Sequence, residues 1–86
     1  MNTISWHNRA RKQMKRIPRT YQEAILDAVD GLAQFPECPG LDVKALKKHR
    51  YGYRLRVGRY RVLFDHAAEI RIISIQEVSK RDEQTY

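Results

Sequence analysis

Three arginines within eight residues, Arg54, Arg56 and Arg61, are the side chains here best suited to chemistry. A guanidinium stays charged at any ordinary pH and presents a planar fork of donors that pairs with two oxygens of a phosphate or carboxylate at once. The surrounding stretch, Tyr53-Arg54-Leu55-Arg56-Val57-Gly58-Arg59-Tyr60-Arg61-Val62-Leu63-Phe64, alternates apolar and polar residues on both sides of Gly58-Arg59. That is a hairpin with a two-residue type II′ turn, glycine first. Such a turn pairs Val57 with Tyr60, Arg56 with Arg61, Leu55 with Val62 and Arg54 with Leu63. The arginines then share one face, Arg56 directly across from Arg61, where like charges cost a few tenths to about 1 kcal/mol. One reading is a solvated face whose arginine stems cover apolar surface. The other is an anion held between the guanidiniums, which removes the penalty. Three arginines together, beside a basic tail, favour the anion.

The bulk charge points the same way. The 86 residues carry 17 Lys and Arg against 10 Asp and Glu, a net charge of +7, so the partner is expected to be a polyanion such as nucleic acid, an acidic protein or anionic lipid. All six charged residues before Glu23 are basic, and so are all eight from Lys44 to Arg61. With 42% hydrophobic and 31% charged residues the composition is globular, and the length is that of one domain, residues 1–86. A chain this short buries only about 60% of its unfolded surface, which leaves no room for a deep cofactor cleft. A single cysteine, Cys38, excludes an internal disulfide and a CxxC metal knuckle and fits a reducing cytoplasm. Neither a membrane-length apolar run nor the apolar stretch of a signal peptide is present, so no membrane role is expected.

The elements that must position the arginines follow from periodicity. Ile4 and Trp6 alternate with Thr3 and Ser5, a short first strand. From Asn8, read as an N-cap, Ala10, Met14 and Ile17 form the apolar stripe of a helix whose other positions include Arg9, Arg11, Lys12, Lys15 and Arg16. Pro18 ends it, and Thr20 with Glu23 reads as a capping box opening a second helix. Its stripe is Tyr21, Ala24, Ile25, Ala28, Val29, Leu32 and Phe35, stopped by Pro36 and Pro39-Gly40. Glu23, Asp27 and Asp30 lie on its outer face, as solvated acids rather than catalytic pairs. After the hairpin, Ile70 to Ile75 reads as the next antiparallel strand, and Gln76 to Tyr86 as a polar tail. The expected fold is α+β: an N-terminal strand and a two-helix hairpin packed on one face of a small, mainly antiparallel sheet, in the order β-α-α-β-β-β.

The hairpin sequence, the strand Ile70 to Ile75 and the ending Lys80-Arg81-Asp82-Glu83-Gln84-Thr85-Tyr86 together resemble the RelE/ParE superfamily of bacterial toxin-antitoxin toxins. The order and size of the elements match it over nearly the whole chain. The resemblance implies a RelE-like fold and one of two activities, or else a degenerate member that only binds its antitoxin or RNA. The RelE branch cleaves messenger RNA in the ribosomal A site without a metal or cofactor, whereas the ParE branch inhibits DNA gyrase and generally lacks the cleavage residues. This chain is more similar to RelE. Arg61 matches the family's phosphate-binding arginine, Arg54 and Arg56 fall at the two basic positions of the preceding strand, and Tyr86 matches the tyrosine that stacks on the substrate nucleotide. Either Lys80 or Arg81 matches the basic residue after the last strand. Two departures stand out: Arg56 replaces a lysine found in some relatives, and the spacing of the final basic pair to Tyr86 fits either Lys80 or Arg81; the helix that follows in longer relatives is expected to be absent.

RNA scission without a metal requires in-line attack by a 2′-hydroxyl, a group to take its proton, another to protonate the leaving 5′-oxygen, and cations to stabilise the added negative charge. Arginine suits the last role. Lys80 can serve as acid or base only if its neighbours lower its pKa from about 10.4. The expected machinery is therefore Arg61 as phosphate clamp, Arg56 as charge stabiliser, Lys80 and Arg81 as proton-donor candidates and Tyr86 as stacker, with the general base left open. Arg54, Arg59, Lys44, Lys47, Lys48, Arg11, Lys12 and Lys15 are expected to bind messenger or ribosomal RNA. The expected partners are the ribosome, messenger RNA and an acidic RelB-like antitoxin, the last forming a hetero-oligomer with the toxin. Neither His7, His49 and His66 nor Cys38 shows metal-ligand spacing or a nucleophile partner.

Overall fold

The computed structural model describes residues 1–80. Its elements are β1 (Thr3–Trp6), α1 (Asn8–Met14), α2 (Arg19–Gly31), a 3-10 turn (Leu32–Gln34), β2 (Asp42–Ala45), β3 (Tyr53–Val57), β4 (Tyr60–Ala67) and β5 (Ile72–Lys80). The strands form one five-stranded sheet in the order β1-β5-β4-β3-β2. β1 lies parallel to β5 and every other pair is antiparallel. The α+β architecture expected from the sequence is present, with β2 as an additional edge strand.

The β3–β4 register is the one the turn chemistry dictates, Val57 opposite Tyr60 and Arg56 opposite Arg61. Gly58 sits at φ +57, the left-handed conformation required at the first turn position. A Cβ there would meet nothing within 4 Å, so the backbone alone enforces the glycine. Gly58→Ala is accordingly expected to cost about 1 kcal/mol of stability, read as a lower urea midpoint with an unchanged slope.

Two local expectations give way to other hydrogen bonding. His7, in extended conformation, caps α1 in place of Asn8, its Nδ1 accepting from the Arg9 amide at 3.2 Å. α2 starts at Arg19 behind Pro18 with no side-chain cap, so Thr20 and Glu23 lie inside the helix and form no capping box. Instead Gln22 Nε2 donates to the carbonyls of Met14 at 2.7 Å and Ile17 at 2.9 Å, tying the start of α2 to the end of α1.

The last strand also differs. It begins at Ile72 and continues to Lys80, so Gln76 onward is sheet rather than tail. Ile70, expected in the strand, is 67% exposed in the turn before it. Pairing runs Leu63 with Glu77 and then Phe64 with Ile75, so Gln76 is the extra residue of a bulge. That residue hides the alternation of Ile73, Ile75 and Val78, all buried.

The core lies on one side of the sheet, where Ile25, Val29 and Leu32 meet Leu55, Val62, Phe64, Ile73 and Ile75. Phe35 adds an edge-on ring 4.9 Å from Tyr53 and 5.5 Å from Phe64, and the last two stack at 5.3 Å. Beyond the end of β1, α1 takes over the edge of β5, and Gln13 Oε1 accepts from the Val78 amide at 2.7 Å. The arginine hairpin is thus held between two paired strands, with its second face turned away from the helices.

Candidate functional site

Strand register places side chains on that second face in two rows. One runs Asp42, Arg56, Arg61, Ser79; the next runs Lys44, Arg54, Leu63, Glu77. Arg54, Arg56, Arg61 and Lys44 are therefore brought together, as the hairpin pattern requires of the three arginines. Arg54 is only 9% exposed, deep for a permanent cation. Its Nη2 lies 3.5 Å from Asp42 Oδ1, and Arg56 Nε lies 3.8 Å from Asp42 Oδ2. The buried Arg54 Nη1 has no hydrogen-bond partner among the described residues. A buried donor in this position favours a further acceptor on the face, because leaving it unpaired is costly.

The segment between β2 and β3 is pinned beside this cluster. Asp65 Oδ1 accepts from the Gly52 amide at 2.7 Å, and Gln76 Nε2 donates to Asp65 Oδ2 at 3.3 Å. Tyr51 is buried, and its hydroxyl accepts from Arg9 Nη1 at 2.8 Å, joining α1 to the approach to β3. His49 Nδ1 accepts from the Tyr51 amide at 3.0 Å, a local turn contact. Arg9, Asp42, Tyr51 and Asp65 are structural parts of the site that sequence reasoning missed. The signal for Asp42 lay in the alternation Asp42, Lys44 against Arg56, Arg54, legible only once β2 is paired with β3.

The other expected residues are dispersed. Lys80 pairs with Tyr60, so alternation directs it to the helix side of the sheet, one position from the arginine row, and it is exposed. Arg59 occupies the turn with its guanidinium 6.0 Å from the Tyr21 ring, again on the helix side. Lys47 and Lys48 are exposed on the connection after β2, Lys48 in the left-handed region at φ 54. Arg11, Lys12 and Lys15 are exposed on α1, where Arg11 and Lys15 flank a groove of about 390 Å³ with Trp6, Met14, Gln22 and Leu26. Arg81 and Tyr86 lie outside the described residues.

Among the described residues no group of three or more His, Cys, Asp or Glu side chains is arranged to hold a metal ion. Among the same residues no helix is long and apolar enough to cross a membrane. Burial pushes the Cys38 thiol above its ordinary range, which keeps it protonated. The arginine face suits electrostatic work: two forks partly neutralised by one carboxylate, a third across from them, and the Lys44 ammonium alongside.

Comparison with known proteins bears on the family and the fold. Residues 4–85 match the family model described as ParE toxin of type II toxin-antitoxin system, parDE. RelE1 of Methanocaldococcus jannaschii is 30% identical over 80 residues, covering 92% of this chain and 89% of that protein. The archaeal RelE-RelB complex from Pyrococcus horikoshii OT3 contains a chain that superposes with a TM-score of 0.81 at 24% identity, over 95% of this chain and 97% of that one. The isolated E. coli RelE toxin superposes at 0.78 with 15% identity, over 96% of this chain and 87% of its own. At these identities the two structures share the fold.

Proposed function

This chain belongs to the ParE toxin family, within the RelE/ParE superfamily, and from that premise we propose that it is a ribosome-dependent endoribonuclease that cleaves messenger RNA in the A site and arrests translation. It is a RelE-like toxin of a toxin-antitoxin system. The observation that supports the nuclease reading is the arginine face: Arg56 opposed to Arg61, with the buried Arg54 beside them. An RNA phosphate bound there relieves the opposition, supplies an acceptor for Arg54 and receives charge stabilisation as the phosphorus becomes five-coordinate.

In this mechanism the 2′-hydroxyl oxygen attacks the adjacent phosphorus and the 5′-oxygen leaves in line, giving a 2′,3′-cyclic phosphate and a free 5′-hydroxyl. Arg61 clamps the non-bridging oxygens while Arg54 and Arg56 stabilise the added charge. Lys80 or Arg81 protonates the leaving oxygen, and Tyr86 stacks on the neighbouring base. Lys80, the last residue of β5, must turn past the end of its strand to do so. The proton of the 2′-hydroxyl goes to a general base, a role for which the permanently charged arginines are unsuited. Lys44, Lys47, Lys48, Arg59 and the basic residues of α1 hold RNA through its phosphates, and no metal or cofactor takes part. The site of action is the cytoplasm, where messages are translated. By analogy with relatives solved as RelE-RelB complexes, an acidic RelB-like antitoxin holds the toxin inactive in a hetero-oligomer.

Primer extension on messages translated in vitro tests the reading. New 3′ ends within codons are expected when protein and ribosomes are both present, and none when either is omitted. Cuts without ribosomes would refute ribosome dependence, and no cuts at all would refute the nuclease. A second reading, a ParE-like gyrase inhibitor, is favoured by the description of the matching family model. Inhibition of gyrase supercoiling by the purified protein, with no RNA cleavage, would select it.

A further inference from the structure

We propose that Asp42 is a built-in competitor for the RNA backbone, a carboxylate that occupies the arginine forks in the free toxin and sets how tightly the face holds a phosphate. The inference rests on the reading of that face as a phosphate site and deepens it. Asp42 lies on the edge strand β2, directly opposite Arg56 in register, and reaches both Arg56 Nε at 3.8 Å and Arg54 Nη2 at 3.5 Å. One oxygen serves each guanidinium, both near the outer limit for an ion pair, so neither fork is engaged by two close bonds as arginine geometry permits. The carboxylate remains 54% exposed, whereas Arg54 is buried with Nη1 unpartnered among the described residues.

That combination is the signature of a weak resident anion. It lowers the mutual repulsion of the guanidiniums and keeps them aimed together. It leaves donors over and is itself accessible to displacement. An incoming phosphate between Arg54 and Arg56 must share those forks with the carboxylate or push it aside, and two anions a few ångströms apart on one cationic cluster repel. The other charged groups on this face in register are Lys44, Arg61, Glu77 and Asp65; Glu77 is separated from Arg54 by the apolar Leu63, and the Asp65 carboxylate is engaged by the Gly52 amide and Gln76 Nε2. Asp42 is thus the acid best placed to oppose the phosphate.

The test is the affinity of the full chain for a single-stranded oligonucleotide made uncleavable by a 2′-deoxy sugar at the scissile position, read by fluorescence anisotropy across a salt series. Asp42→Asn and Asp42→Ser both keep the β2 backbone pairing, and urea unfolding checks that each stays folded. Each variant is expected to bind about fivefold tighter than the parent near 0.1 M salt. The slope of log affinity against log salt should steepen by about 0.7, one further single-strand phosphate neutralised. Affinity that is unchanged or weaker in folded variants, while the parent still binds and cleaves, would overturn the role of Asp42 and leave the nuclease reading intact. No binding by parent or variants would remove the phosphate reading and this inference together.

Discussion

Arg61→Ala is expected to abolish growth arrest on induced expression and to lower messenger RNA cleavage by at least about a hundredfold. Removing one well-placed donor to developing negative charge costs about 10²–10³ in rate in other enzymes, and Arg61 is the residue that closes the arginine face from the β4 side. Folding should not suffer. Arg61 stands across from Arg56 on the face turned away from the core, so alanine removes no core packing, and a cooperative urea transition checks that the variant stays folded. Arg61→Lys keeps the charge but loses the fork, and an intermediate loss is expected. Full toxicity in a soluble, folded Arg61→Ala protein would refute its assignment as the phosphate clamp. Loss of RNA cleavage with persisting toxicity would direct attention to gyrase.

Phe64→Ala is expected to have the largest effect on the fold, about 3–5 kcal/mol. Phe64 is fully buried at the middle of β4, stacked on Tyr53 and met edge-on by Phe35, so truncation opens a cavity where helix turn and sheet meet. A domain of this size has only about 5–15 kcal/mol of total stability, and the variant should show a sharply lower urea midpoint and poor soluble yield at 37 °C. Phe64→Leu, which keeps most of the volume, should lose clearly less. Equal midpoints for parent and alanine variant would contradict the packing described. The pair of experiments separates the two faces of one hairpin: a change on the core side acts through stability, a change on the open side through chemistry.

The hairpin was legible because two independent signals agreed, a glycine that only one turn position wants and an apolar alternation on both sides of it. That agreement placed Arg54, Arg56 and Arg61 on a common face. Where the structure departed from expectation, the local signal was weak or interrupted. β2 buries little, with only Val43 partly covered among its four residues, so it carries no hydrophobic period, and without β2 the position of Asp42 was out of reach. Gln76 broke the alternation of β5 by one residue, which made a strand look like a tail. His7 and Gln22 replaced the expected caps because a side chain's hydrogen-bonding reach depends on where the chain turns. Lys80 turned to the helix side because a strand reverses direction at every residue, a consequence visible only once its register with Tyr60 was fixed.

Strand order has a consequence for the cell that makes this protein. β5, the last strand to leave the ribosomal tunnel, lies between β1, the first, and β4. A nascent chain halted before Ile72 leaves β1 unpaired, α1 without the strand it rests on and β4 with an open edge. The sheet therefore stays incomplete for most of the chain's synthesis, and a fragment ending before β5 lacks the strand that joins β1 to β4.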